Sequence, residues 1–308
     1  MADLPRSTLG RTGLNVTKLG YGAMELRGPG AMMGRDLDPG TAGKLLNAVL
    51  DAGINFIDTS PDYGASEESI GQHLSGRRRE FFLASKCGCP VGDAGEGARR
   101  EHVFTRQNVR AGVEQSLRRM KTDHLDIVQF HASPPRSVLE ENEAVEELKD
   151  LRREGKIRFL GMSGTLPNLT DHIAMGVFDA FQIPYSALER EHEGAISEAA
   201  AAGAGTIIRG GVARGTPDAP EERLSRLPEP FRQTYQQRRD RWEEAKLDDL
   251  LDGASRTEFM LRFTITHPGM HTTIVGTANP DHLADNVAAA AKGPLPHDVY
   301  EEAKTRLT

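Results

Sequence analysis

Cysteine is almost absent: the 308 residues hold only Cys87 and Cys89. A disulfide framework is excluded, and two ligands at such spacing do not make a structural zinc site, so no metal-ligating set is expected. Long apolar runs are missing as well. Residues 1–12 lack the hydrophobic centre of a signal peptide, and no stretch approaches the roughly 20 residues of a spanning helix. Nor is there a basic excess, since the formal net charge is −7. That balance gives a nucleic-acid groove no support, and Arg77-Arg78-Arg79 and Arg238-Arg239, set among acidic neighbours, read as solvated surface. No low-complexity linker divides the chain, no Gly-x-Gly-x-x-Gly opens a first helix, and there is no Walker-type lysine loop. These absences predict a soluble, cytoplasmic, single-domain protein over residues 1–308, without nucleic-acid or membrane partners. They say nothing of oligomeric state.

What is present is a repeated design of short apolar runs ending in polar turns. Ile54-Asn55-Phe56-Ile57 runs into Asp58 and, five residues on, Tyr63. Phe81 to Ser85 runs into Lys86, and Leu125 to Phe130 runs into His131. Further strands are expected at residues 18–24, 157–163, 178–183, 205–211 and 272–275, with helical periodicity at 41–52, 67–74, 105–120, 168–175, 195–202 and 257–265. Thr105 reads as a helix cap, and an acidic helix start at Glu140 leads to a stop at Gly155. Eight strands alternating with helices predict a (β/α)8 barrel, with a doubly wound sheet as the alternative because periodicity does not show closure. Residues 4–20, with Gly10 and Gly13, read as a hairpin covering one end.

The longest departure from alternation is residues 212–255, after the seventh strand. Arg232 to Leu251 is expected as a helix over the upper rim, with Trp242 a candidate cover for substrate. Met24 and the glycine-rich Gly88–Arg100 loop are further candidate pocket walls. His267 and His271 read as loop residues, one of which could line the opening.

Asp58, Tyr63, Lys86 and His131 make one acid-base constellation. A phenol can protonate a developing alkoxide, a nearby ammonium stabilises the phenolate left behind, a carboxylate holds the ammonium, and an imidazole N–H polarises a carbonyl. With Asp58-Thr59-Ser60-Pro61-Asp62-Tyr63-Gly64, Ser66-Glu67, Gly71, Lys86, His131, Gly155-Lys156-Ile157-Arg158, Gly161-Met162-Ser163, Gln182, Gly276-Thr277 and Asn286 in that order, the chain resembles the aldo-keto reductase family. The resemblance implies a (β/α)8 oxidoreductase that passes hydride between a nicotinamide dinucleotide and a small carbonyl or alcohol substrate. Tyr63 would be the general acid, tuned by Lys86 and Asp58, with His131 orienting the carbonyl.

The same resemblance puts cofactor binding on Gly22, Ser163, Gln182, Arg209, Gly276, Thr277, His282 and Asn286. Four positions depart from the family pattern. Gly164 replaces the usual asparagine after the serine, Arg209 lies where an aromatic often stacks on the nicotinamide, and Gly276 and His282 stand where cations usually hold a 2′-phosphate. NADP(H) is still expected, with NAD(H) as the alternative. Two rival functions remain: a non-catalytic dinucleotide-binding module, and an aldolase forming a Schiff base on Lys86.

Overall fold

The computed structural model describes residues 3–28, 37–91, 101–218, 221, 225 and 227–308. Two short strands come first, β1 (Arg6–Thr8) and β2 (Asn15–Thr17), paired antiparallel with Ser7 opposite Val16. Gly10 makes their connection possible. Its φ is +48°, and a Cβ there would lie 2.3 Å from the Gly205 backbone nitrogen. Leu9, Leu14 and Val16 can therefore pack among Phe56, Ala84, Ile127, Ala180 and Ile207 at the starts of the inner strands. The hairpin is the floor beneath those strands.

The inner strands number eight: β3 (Leu19–Gly22), β4 (Phe56–Asp58), β5 (Phe82–Cys87), β6 (Leu125–Phe130), β7 (Ile157–Ser163), β8 (Ala180–Pro184), β9 (Gly205–Arg209) and β10 (Thr272–Val275). Each pairs in parallel with its neighbour in the chain, and β10 closes on β3 with Ile274 opposite Gly20. Closure excludes the doubly wound sheet. All strands being parallel, their C-terminal ends share one face, where a barrel of this kind carries chemistry.

The helices form where capping and an apolar stripe coincide. Pro39–Asp51 begins at Asp38, whose side chain accepts from Thr41 N, and buries Leu45, Leu46 and Val49. Arg106–Met120 begins as expected at Thr105, whose hydroxyl accepts from Asn108 N. Elsewhere the chain departs from its periodicity. The acidic helix after Pro135 starts earlier than Glu140 and is two helices, Arg136–Glu141 and Ala144–Arg153, because Glu143 turns left-handed at φ +48°. A final helix, His297–Arg306, was not expected and packs Tyr300 against Phe263 with ring centroids 4.8 Å apart.

The expected rim helix is also corrected. It runs Glu229–Glu244, and Lys246 at φ +48° separates it from a 3-10 turn, Leu247–Leu250. Trp242 is no cover for substrate. It is 1 % exposed, lies edge-on to Phe259 and donates its indole N–H to Asp248 at 2.9 Å. The helix is tied by Arg238 to Glu189 and by Arg241 to the Leu307 carbonyl. The Gly88–Arg100 loop lies outside the described residues from 92 onward. Among the described residues no helix is long and apolar enough to cross a membrane.

Candidate active site

Asp58 ends β4 and is 1 % exposed, so its carboxylate needs partners inside the protein. Four strands meet on it. Lys86 Nζ lies 2.7 Å from Oδ2, while Gln129 and Gln182 each donate from Nε2 to Oδ1 at 2.8 Å. Lys86 also donates to the Thr59 carbonyl at 2.8 Å. Burial opposes its charge, but Asp58 and then Tyr63 outweigh burial and raise the ammonium pKa. Lys86 is therefore a fixed cation.

Tyr63 stands on a turn whose backbone is fastened at several points. Its N–H donates to the Ser60 carbonyl at 3.0 Å, and Ser66 Oγ donates to the Ala23 carbonyl at 2.9 Å. Gly64, at φ +49°, passes so close to Arg27 that a Cβ would meet its carbonyl oxygen. The phenol ring then sits between two cations, with Lys86 Nζ and the Arg27 guanidinium carbon each 5.0 Å from its centroid. His131 lies edge-on to the same ring at 6.3 Å.

His131 follows β6, its N–H donating to the Cys87 carbonyl at 3.1 Å. Its Nδ1 faces Asp62 Oδ2 at 3.2 Å, His102 Nε2 at 3.2 Å and Cys89 Sγ at 3.4 Å. Burial pushes its pKa down, with Asp62 opposing and Lys86 reinforcing, so the ring is neutral near pH 7. For Asp62 burial works the other way, yet His102 and His131 hold its carboxyl well below the usual range. The Cys87 and Cys89 thiols are both pushed up, chiefly by burial.

The residues expected to hold the cofactor continue around the rim from β7 to β10. Ser163 Oγ donates to Gln182 Oε1 at 3.2 Å, directly beside Asp58. Arg209 ends β9 and is half-buried near His192. Gly22 and Gly276 bring β3 and β10 together so closely that a Cβ on Gly276 would lie 2.6 Å from the Gly22 carbonyl oxygen. Thr277 follows, its carbonyl accepting from the Tyr21 hydroxyl at 2.8 Å. Helix Pro280–Ala291 then carries exposed His282 and buried Asn286 one turn apart. This side-chain-free cradle beside a helix N-terminus fits a pyrophosphate, and the serine-glutamine edge fits a carboxamide.

Two expected candidates fall elsewhere. His267 and His271 precede β10, at the floor rather than the mouth: His267 packs against Tyr185 at 5.1 Å, and His271 Nδ1 accepts from Thr206 N. Asp126, on β6, lies between Arg78 and Arg158 and accepts from Leu83 N, a structural tie between β5 and β6. Sequence reasoning missed Gln129, Arg27, Asp62 and His102. Gln129 had a signal, a polar residue after the apolar pair Ile127-Val128 and two positions before His131; the others are brought in only by the fold.

The model of the Aldo/keto reductase family matches residues 18–305. The chain is 26 % identical over 291 residues to an uncharacterized oxidoreductase, YqkF, of Bacillus subtilis, covering 92 % of this chain and 90 % of that protein. It is 32 % identical over 170 residues to L-galactose dehydrogenase of Arabidopsis thaliana, spanning 53 % of this chain and 50 % of the relative. Among solved structures, the holo form of aldo-keto reductase AKR11C1 from Bacillus halodurans is similar with a TM-score of 0.82 and 25 % identity, over 99 % of this chain and 97 % of that one. With the closed barrel, these matches make the chain a member of the aldo/keto reductase family, whose enzymes are nicotinamide-dependent oxidoreductases.

Proposed function

We propose that this chain reduces an aldehyde or ketone to the alcohol with Tyr63 as general acid, and runs the reverse oxidation through the same groups. One observation carries the assignment: the Lys86 ammonium, fixed by Asp58 and the Thr59 carbonyl, lies 5.0 Å from the Tyr63 ring centroid. The reduced nicotinamide, when bound, supplies the hydride that goes to the carbonyl carbon. Tyr63 gives its hydroxyl proton to the carbonyl oxygen, and Lys86 stabilises the negative charge left on the phenol oxygen. Asp58 keeps Lys86 in place. His131 turns its Nδ1 to Asp62, which leaves Nε2 as the nitrogen that orients the carbonyl. Solvent returns a proton to Tyr63, and the balance closes.

For the cofactor, Ser163 and Gln182 would hold the carboxamide, and Arg209 would lie beside the nicotinamide. Gly22, Gly276 and Thr277 would line the phosphates with backbone, and Asn286 would meet adenine. His282, exposed one turn before Asn286, would lie toward the adenosine end, and NADP(H) is the cofactor we favour, with NAD(H) as the alternative. The raised pKa of Lys86 argues against the Schiff-base alternative, because an ammonium has no lone pair to attack a carbonyl.

The test is fluorescence titration with NADPH and NADH separately, followed by turnover against a panel of aldehydes and ketones. Tighter NADPH binding with carbonyl-dependent oxidation of the nucleotide is expected. Equal affinities would remove the NADP(H) preference, and tight binding without turnover on any carbonyl would favour the non-catalytic module.

A further inference from the structure

Beside Tyr63, four donor atoms from four separate segments meet. Asp62 Oδ2 comes from the turn after β4, Cys89 Sγ from the turn after β5, His102 Nε2 from the approach to helix Arg106–Met120, and His131 Nδ1 from the end of β6. The separations are 3.0 Å for His102–Asp62, 3.2 Å for His131–Asp62, 3.2 Å for His102–His131 and 3.4 Å for Cys89–His131. All four atoms lie within 4.8 Å of one another.

Hydrogen bonding alone does not satisfy this arrangement. An imidazole nitrogen carries either one hydrogen or one lone pair. If both rings donate to Asp62, two N–H groups confront each other across 3.2 Å; if one ring accepts from the other, its lone pair faces the carboxylate oxygen at 3.2 Å. At most two edges of the triangle are hydrogen bonds at once. A cation at the centre would take a lone pair from every member instead.

The dimensions agree with that reading. Zinc bonds of about 2.0–2.2 Å to nitrogen and oxygen and about 2.3 Å to sulfur give tetrahedral edges of roughly 3.3–3.6 Å. The four edges given above fall within a few tenths of an ångström of these, and the two remaining edges, from Cys89 to Asp62 and to His102, lie within 4.8 Å. One thiolate, two imidazoles and one carboxylate select a zinc-class ion over magnesium or calcium, and the two anions neutralise a divalent charge at a half-buried position.

We propose that Asp62, Cys89, His102 and His131 bind one zinc-class divalent cation next to Tyr63. Coordination is redox-neutral: the Cys89 thiol releases its proton to solvent and the thiolate binds. With Nδ1 of His131 on the metal, the ring proton resides on Nε2, the nitrogen offered to the carbonyl. This last consequence rests on the reductase reading; the binding itself does not.

The experiment is titration of the chelator-stripped, full-length protein with Co²⁺, followed by displacement with Zn²⁺. One equivalent per chain is expected, with the strong visible bands of tetrahedral cobalt and near-ultraviolet thiolate-to-cobalt charge transfer. Cys89→Ser should remove the charge-transfer band, and His102→Gln should weaken Zn²⁺ affinity by at least about tenfold. Far-UV circular dichroism checks that each variant folds, with His102→Ala as a second variant. Zinc loading should also shift the ¹⁵N resonances of His131 Nδ1 and His102 Nε2. Weakly absorbing octahedral cobalt, or an affinity indifferent to both substitutions, would overturn the site. Stoichiometric metal in a chain that reduces no carbonyl would uphold the site and remove the reductase reading; an active enzyme that binds no metal would do the reverse.

Discussion

Tyr63 and Lys86 do different work on one proton, and substitution separates them. Tyr63→Phe removes only the hydroxyl and leaves the ring between Lys86 and Arg27. Dinucleotide binding should stay within about twofold while kcat/KM for carbonyl reduction falls by roughly 10²–10⁴, the usual weight of general acid catalysis. Unchanged turnover in steady-state assays would sink the acid role. Lys86→Met acts on the fold as well. It leaves the Asp58 carboxylate 1 % exposed without its cation, and unpairing a buried ion pair costs roughly 3–5 kcal/mol. A urea midpoint equal to that of the unaltered protein would show that Gln129 and Gln182 hold Asp58 unaided. The four proposed catalytic residues were legible in the sequence because each follows an apolar run and belongs to an ordered pattern. Asp62 and His102 were not, since their partners are distant in sequence and only the side-by-side pairing of β4, β5 and β6 brings them together.

At the scale of elements, legibility followed the strength of local physics. The inner strands and the Thr105-capped helix were readable from apolar runs and a cap, whereas the breaks at Glu143 and Lys246 were not. Both residues take positive φ without being glycine, a choice imposed by packing that leaves no compositional mark. The floor hairpin shows the opposite case, where glycine marks its own necessity. Gly10→Ala places a methyl 2.3 Å from the Gly205 nitrogen and 2.4 Å from the Ala204 carbonyl carbon, both backbone atoms that cannot step aside. A loss of roughly 2–4 kcal/mol in chemical denaturation is expected, combining left-handed strain with displacement of the floor. Gly13 is the internal control. It has φ +69° and open space around its Cβ position, so Gly13→Ala should cost only about 1–2 kcal/mol. Equal costs would mean that the clash with β9 carries no weight.

For the molecule as a whole, buried titratable groups set a stability plateau with two edges. His172, His192, His267 and His271 all have pKa values pushed down, burial being the first cause in each. In the unfolded chain they titrate near about 6.5. Between the lower folded values and that point the unfolded state binds more protons, so stability rises with pH there and is lost as pH falls. Each histidine contributes at most about 1.4 kcal/mol per pH unit across its window. On the alkaline side the signs reverse. The Cys87 thiol is pushed up by burial, as are the hydroxyls of Tyr21 and Tyr185. Unfolded, the thiol ionises near about 8.5 and the phenols near about 10, so the unfolded state sheds protons first and stability declines above those values. Lys86, raised chiefly by Asp58 against its burial, adds to the same edge: its contribution is complete below about 10.4 and is lost as pH rises through its folded value. The melting temperature should therefore be highest between about pH 6.5 and 8.5 and fall on both sides, with the acid decline already visible at pH 5.5. Scanning calorimetry from pH 5 to 10 at constant ionic strength measures it; a Tm that stays level from pH 7 down to 5 would mean that these histidines become protonated without leaving the fold.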